Sequence, residues 1–191
     1  MASRNGLMPL GTDGTDFMHR ETVANQYKIS AKGKSRLKTC LFIQVLLFFI
    51  MLTKLSADIL DKLDIFVMEI EELEIPKPLY WEYIWCFSLI SIFFGLAATR
   101  KNNVKMITRF VYGTVIFGVL PCLFCVAYYL GDVYSYIITR SVEGVQVWQG
   151  YPYGILWYCF VVVALQVHFL SLYFAKQLLE AWKIRSSKKA Y

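Results

Sequence analysis

Residues that carry chemistry are scarce in this chain. Its two histidines, His19 and His168, lie on different segments, so no histidine-rich metal site is available. Neither a G-x-S-x-G elbow nor a P-loop occurs, which removes two familiar signatures of hydrolases and nucleotide enzymes. The pair Cys122-x-x-Cys125 sits inside an apolar run, without the strand–helix–strand context of a thiol redox motif. An enzyme is therefore not expected, and no cofactor either. The five cysteines (Cys40, Cys86, Cys122, Cys125, Cys159) all lie in or at the edge of apolar runs, which argues against a disulfide framework. N-x-Ser/Thr sequons are absent, and with them expected N-glycosylation. Charge is thin at 18%, against 57% apolar residues, and no apolar core opens residues 1–36, so a cleavable signal peptide is not expected.

What the chain does have is long uncharged runs. "CLFIQVLLFFIMLT" spans Cys40 to Thr53 and reaches membrane-spanning length if it continues through "KLSADIL", with Lys54 snorkelling to the interface. "YIWCFSLISIFFGLAAT" follows at Tyr83 to Thr99, then Ile107 to Leu130 with Pro121, then Gly154 to Ala175. Two of the four are short, which suits a thin bilayer of roughly 27 Å hydrocarbon. Four such runs in series predict an all-α membrane protein with four transmembrane helices, and a lipid bilayer as its first partner. The first run is expected to act as an uncleaved signal-anchor.

Basic residues set the orientation. Sixteen of the twenty lie before the first run, in or at the edge of the second connection (Arg109 stands in the first turn of the third run) or after the fourth run. Only Lys54, Lys62, Lys77 and Arg140 fall on the other side. The positive-inside rule places both termini in the cytosol. The expected organisation is thus a cytosolic segment 1–38, helix 39–58, an acidic lumenal loop 59–82, helix 83–99, a basic cytosolic loop 100–106, helix 107–130, a lumenal loop 131–153, helix 154–175 and a cytosolic tail 176–191. Because the net charge of +6 sits in clusters beside apolar runs, it matches anionic headgroups rather than nucleic acid, which is not an expected partner. The tail ends "SSKKAY", with Lys188 and Lys189 at the fourth and third positions from the end. That placement is similar to the dilysine signal by which the retrograde vesicle coat returns membrane proteins to the endoplasmic reticulum. A plain basic flank is the alternative reading.

The remaining patterns are amphipathic or sparse. Ile59, Leu63, Phe66, Ile70 and Leu73 recur at helical spacing opposite acidic residues, predicting one helix over 59–73 that ends at Pro76 and Pro78. Ala175, Leu178, Leu179 and Trp182 predict either a helix leaving the bilayer along the interface, anchored by Trp182, or a continuation of the fourth span. Polar residues within the spans are Gln44, Ser88, Ser91, Thr114, Gln166, His168 and Ser171. His168 reads as a hydrogen-bonding residue of the bundle, with a proton relay as the sharper alternative. Glu82, between Trp81 and Tyr83, reads as an interfacial residue. A small channel or transporter needs a polar path or an inverted repeat, and so sparse a set argues against it.

The N-terminus reads "GTDGTDFMHRETVANQY", Gly11 to Tyr27, with "WEY" (81–83), "RKNN" (100–103), "QVH" (166–168) and the lysine-rich ending further on. In these stretches the chain resembles the Jagunal family. The resemblance implies a four-span endoplasmic reticulum protein, needed for reticulum organisation and vesicular traffic in the early secretory pathway and not known for catalysis. It makes Asp13, Asp16, Phe17, His19, Arg20 and Glu21 candidates for a cytosolic docking segment that meets cargo or coat proteins. Asp16 is expected to cap a helix in which Phe17, Ala24 and Tyr27 face the membrane or a partner. The acidic loop 59–82 is longer than the family pattern, so no family role is carried onto it.

Overall fold

The computed structural model describes residues 15–187. Among them, four helices are long and apolar enough to cross a membrane. The first is α1 (Thr15–Lys62), and a one-turn helix, α2 (Met68–Glu71), lies in the loop after it. The second span is α3 (Tyr80–Cys86) continued by α4 (Ser88–Lys101). The third is α5 (Val104–Gly113), a π-helical segment (Thr114–Val119) and α6 (Leu120–Thr139). A short hairpin, β1 (Val147–Trp148) and β2 (Tyr151–Pro152), precedes the fourth, α7 (Tyr153–Ser187).

α1 and α7 are the spine of the bundle. Ser30, Gln44 and Lys54 of α1 meet Trp182, Ser171 and Trp157 of α7 in turn, so the two helices run antiparallel. Leu37, Leu41, Gln44, Leu47, Met51 and Leu55 recur at intervals of three or four and are all buried, the one-faced stripe a packed helix needs. Small residues permit the close approach: a Cβ added at Gly33 would lie 3.0 Å from Leu178 Cδ2. The outer ends of α1 and α7 therefore lie at one end of the bundle, opposite the loops 63–79 and 140–152. At about 1.5 Å per residue, α1 is about 72 Å long, well beyond the roughly 30 Å of a hydrocarbon core. The excess projects as a stalk beyond the terminal end.

Two apolar clusters fill the interior. One, toward the loops, is built from Met51, Leu55, Trp81, Trp85, Cys122, Tyr129 and Trp157. The other, toward the termini, is built from Leu37, Leu41, Ile92, Phe110, Leu178 and Trp182. The connection between α4 and α5 is a compact reversal. Asn102 takes the left-handed conformation that closes a helix, and the Asn103 side chain accepts from the Lys105 and Met106 backbone N–H groups to open the next. Pro121 explains the π-helical segment before it. Proline has no N–H to offer and its ring crowds the carbonyl four residues back, so the preceding turn widens.

Three expectations are corrected here. The stripe Ile59–Leu73 is not one helix, because α1 ends at Lys62. Asp64 turns left-handed (φ 59°), and the Ile65 and Asp64 N–H groups close onto the Leu60 and Asp61 carbonyls at 3.0 and 3.1 Å, a Schellman stop. Leu63, Phe66 and Leu73 are left exposed. Of the two readings of Ala175–Trp182, the continued span holds: α7 runs unbroken past Trp182, whose indole is buried against α1 and donates to Ser30 Oγ at 3.1 Å. Asp16 does not precede the first helix as a cap, since α1 already includes Thr15. α6 runs on past 130 to Thr139, so the second loop is the shorter segment 140–152. Its hairpin turns on Gln149 and Gly150, both at positive φ, as a type I′ turn requires. Trp148 Nε1 and Gln149 Nε2 donate to the Leu73 carbonyl at 3.0 and 3.3 Å, tying the two loops together.

Candidate functional site

The polar groups inside the bundle form separate islands. At the loop end, Glu82 is fully buried and Lys54 turns inward to pair with it, rather than snorkelling outward as its position in the sequence predicts. A charge removed from water needs an opposite charge close by, and the neighbouring carboxylate supplies it. Glu82 is thus not merely interfacial. Its Oε1 also accepts from the Leu79 backbone N–H at 3.0 Å, so one carboxylate caps α3 and bolts the second span to the first. The Lys54 ammonium stands 5.6 Å from the Trp157 ring centroid. One turn further out, Asp58 accepts from Lys62 Nζ at 2.6 Å and from the Tyr83 hydroxyl. Beside this belt the loop 63–79 arches over a cavity of about 270 Å³, lined in part by Asp58, Asp61, Glu71 and Lys77.

The second island joins α1 to α7 where the two apolar clusters meet. Gln44 Nε2 donates to Ser171 Oγ at 3.0 Å and to His168 Nδ1 at 3.1 Å, while Ser171 Oγ donates onward to the Val167 carbonyl at 2.7 Å. With the hydroxyl proton committed to Val167, Nδ1 is the acceptor, which leaves the ring proton on Nε2. His168 is 1% exposed and Gln166 exposed, as their two-residue spacing predicts. The His168 ring lies against the π-helical segment: a Cβ added at Gly118 would sit 2.7 Å from Cε1 and 2.9 Å from Nε2. A third, weaker link joins Ser91 Oγ and Thr114 Oγ1 at 3.5 Å.

Aromatic rings partition these islands. Trp81, Trp157, Phe160, Trp85 and His168 follow one another with ring centroids 4.8, 5.6, 5.4 and 6.0 Å apart. That apolar stack stands between the Lys54–Glu82 pair and the Gln44–His168 pair. All five cysteines are free thiols, Cys122 and Cys125 buried within the loop-end cluster. Among the described residues, no three His, Cys, Asp or Glu side chains converge as a metal site.

The stack also fixes a prediction. Gly118→Ala drives a methyl into a ring held by Gln44 and faced by Trp85, and overpacking of this kind costs about 1–3 kcal/mol. Thermal unfolding in detergent should show a lower midpoint. An unchanged midpoint would mean that the ring can turn aside.

Of the candidate docking residues, Phe17, Arg20 and Glu21 lie on the outermost turns of α1, all exposed. Asp16 and His19 belong to the same turns by backbone, while Asp13, Lys188 and Lys189 lie outside the described residues. The antiparallel pair brings this end of α1 to the same end of the bundle as the last turns of α7. Sequence reasoning did not pair Lys54 with Glu82, nor Gln44 with His168. The usable signal was depth: Gln44 and Ser171 lie at matched distances from the terminal ends of their apolar runs, as Lys54 and Glu82 do from the loop ends.

A family model described as "Jagunal, ER re-organisation during oogenesis" matches residues 1–186. "Protein jagunal" of Drosophila melanogaster is 50% identical over 196 residues, covering all of both chains. "Protein jagunal homolog" of Caenorhabditis elegans is 34% identical over 188 residues, covering 95% of this chain and 97% of the relative. "Protein jagunal homolog 1" of Homo sapiens is 26% identical over 200 residues, again across both chains in full. With a membrane-spanning helical fold and a match along nearly its whole length, the chain belongs to the Jagunal family.

Proposed function

We propose that the chain is a non-enzymatic, multi-pass protein of the endoplasmic reticulum membrane, needed for reticulum organisation and for vesicle-mediated protein transport in the early secretory pathway. The observation that carries this reading is the full-length kinship with a family described by reticulum re-organisation. The bundle interior supports it. Its polar groups tie helices to one another in islands, and the ring stack between them leaves a channel or transporter without a continuous polar path. The basic asymmetry supports cytosolic termini, with loops 63–79 and 140–152 in the lumen. On the cytosolic side, Lys188 and Lys189 engage the retrograde vesicle coat, and the segment from Asp13 to Glu21 meets cargo or coat proteins.

The test is depletion and rescue. Cells lacking the protein should show a disordered reticulum and delayed exit of secretory cargo, both restored by the wild-type chain. A normal reticulum with normal cargo kinetics would overturn the reading. Orientation is checked separately by protease treatment of sealed microsomes, which should remove tags at both termini. Protection of either tag would reject the orientation.

A further inference from the structure

We propose that the outward face of α7 is the contact surface for a second copy of this chain in the same bilayer, with Gln166 of each copy pairing across a two-fold axis. The proposal needs only that α7 spans the membrane, and stands apart from any role in traffic.

One polar side chain in the spans faces outward without a partner. Gln44, Ser88, Ser91, Thr114, His168 and Ser171 are all buried between helices. Thr53 and Thr108, nearer the span ends, each donate at 2.9 Å to a carbonyl one turn back in their own helix. Gln166 is exposed, and no hydrogen bond joins its amide to another described residue. It also lies deep. At about 1.5 Å per residue it stands about 13 Å from Ala175 and about 18 Å from Gly154, near the midplane and beyond reach of the headgroups. An amide there has donors and acceptors that hydrocarbon cannot satisfy. Polar side chains at such depth are expected to face protein, and glutamines that bond between helices hold spans together.

The surface around Gln166 has the form of a helix seam. Cys159, Val163, Gln166, Leu170 and Tyr173 follow one another at spacings of 4, 3, 4 and 3, and all five are exposed. Two helices crossing at about 20° share a seam of that spacing. No Asp, Glu, Lys or Arg occurs between Tyr153 and Ala175, so the matching surface is another span. Val161, Ala164, His168 and Ser171 turn inward, so pairing through the outer face leaves the bundle intact.

The amide selects a copy of the same chain. It donates and accepts at once, so two glutamines satisfy each other by exchanging N–H···O bonds. Copies that insert the same way hold their α7 helices parallel, with Gln166 at one depth. A two-fold contact then sets the residue on the axis against itself. A single polar residue within an otherwise apolar seam also fixes the register.

The experiment reconstitutes the full-length chain in phosphatidylcholine vesicles, as two pools carrying donor or acceptor fluorophores at the N-terminus. Energy transfer should exceed that of random encounter and fall on dilution with lipid. Gln166→Leu should raise the protein-to-lipid ratio for half-maximal transfer about three- to tenfold. Gln166→Asn, which keeps an amide at the seam, should recover part of that loss. The leucine variant should unfold in detergent no more easily than the wild type, because the amide bonds nothing in its own bundle. Cys159 lies two turns from Gln166 on the same face, so oxidation of native membranes with copper phenanthroline should give a disulfide-linked dimer. Cys159→Ser should abolish it, since Cys40, Cys122 and Cys125 are buried. The proposal is overturned if wild-type transfer matches random encounter, if Gln166→Leu transfers as the wild type does, or if its unfolding midpoint drops. It is overturned too if no linked dimer forms, or if the dimer survives Cys159→Ser. A linked product with the mass of this chain plus a different protein would assign the face to that protein's span instead.

Discussion

Glu82→Leu on its own is expected to cost the folded bundle about 3–5 kcal/mol, the largest loss for any single side chain here. The carboxylate is fully buried and is the partner of Lys54. Removing it leaves an ammonium whose side chain is only 17% exposed, facing Trp157 in an otherwise apolar layer. It also strips the Leu79 N–H of its acceptor at the first turn of α3. Two penalties thus fall on one helix start, which must sit correctly if the second span is to pack on the first. Glu82→Gln should lose less, since an amide oxygen still accepts from Leu79. The decisive variant is the double replacement Lys54→Met with Glu82→Leu, which removes both charges and fills the space with apolar atoms. It should recover the part of the loss that comes from the unpaired charge, because replacing a buried ion pair is often neutral where breaking one is not, and should stay below wild type by the Leu79 N–H left without its acceptor. Unfolding of the wild type, the two single variants and the double variant in detergent completes a double-mutant cycle. A single variant within about 1 kcal/mol of wild type would mean that Lys54 reaches water when released, and that the pair is dispensable.

The same pair shows where sequence reading stopped. Span number and chain-end pairing were legible because they depend on long apolar runs, a signal summed over many residues. His168 could be placed inside the bundle because a lone ionisable group in a span needs an interior partner. Its partner was not named, since Gln44 lies 124 positions away and only its matched depth in the first run points to it. Lys54 was misread for a related reason: snorkelling and inward pairing begin from the same position, and only the neighbouring helix decides between them. The stripe Ile59–Leu73 failed differently. Its periodicity is real, but Asp64 tolerates a left-handed backbone and offers a local stop that helical spacing does not register. For Trp182 the sequence left an interfacial turn and a continued span both open, and the structure has the continued span. An aromatic near a span end is usually interfacial, yet here Ser30 and Lys34 of α1 accompany the span outward and cover the ring. One unbroken helix, α1, joins the cytosolic helix expected from Asp16 onward to the first span, and packs on α7 from Ser30 inward.

That stalk bears on the ending. Replacing Lys188 and Lys189 with serine is expected to release the protein from the endoplasmic reticulum toward later compartments, the largest change in distribution for any surface substitution here. α7 is helical to Ser187, so from residue 176 it extends about 18 Å at about 1.5 Å per residue. That carries the last described turn, next to the two lysines in the chain, beyond a headgroup layer of about 5–8 Å. Lys176, Lys183 and Arg185 remain in the variant and keep the positive-inside asymmetry, so misinsertion does not account for escape. A second variant leaves both lysines untouched and appends several alanines after Tyr191. If the coat reads ammonium groups together with the carboxylate in one charge-complementary pocket, moving the carboxylate away should release the protein as well. A basic flank that merely attracts headgroups is indifferent to that extension. Steady-state localisation of the two variants beside the wild type is the measurement. Retention of both would reject the retrieval reading unless the spans hold the protein by themselves. Appending the last six residues to a cell-surface reporter separates those cases: the tail brings the reporter back to the reticulum if it is a signal, and leaves it at the surface if it is only a flank.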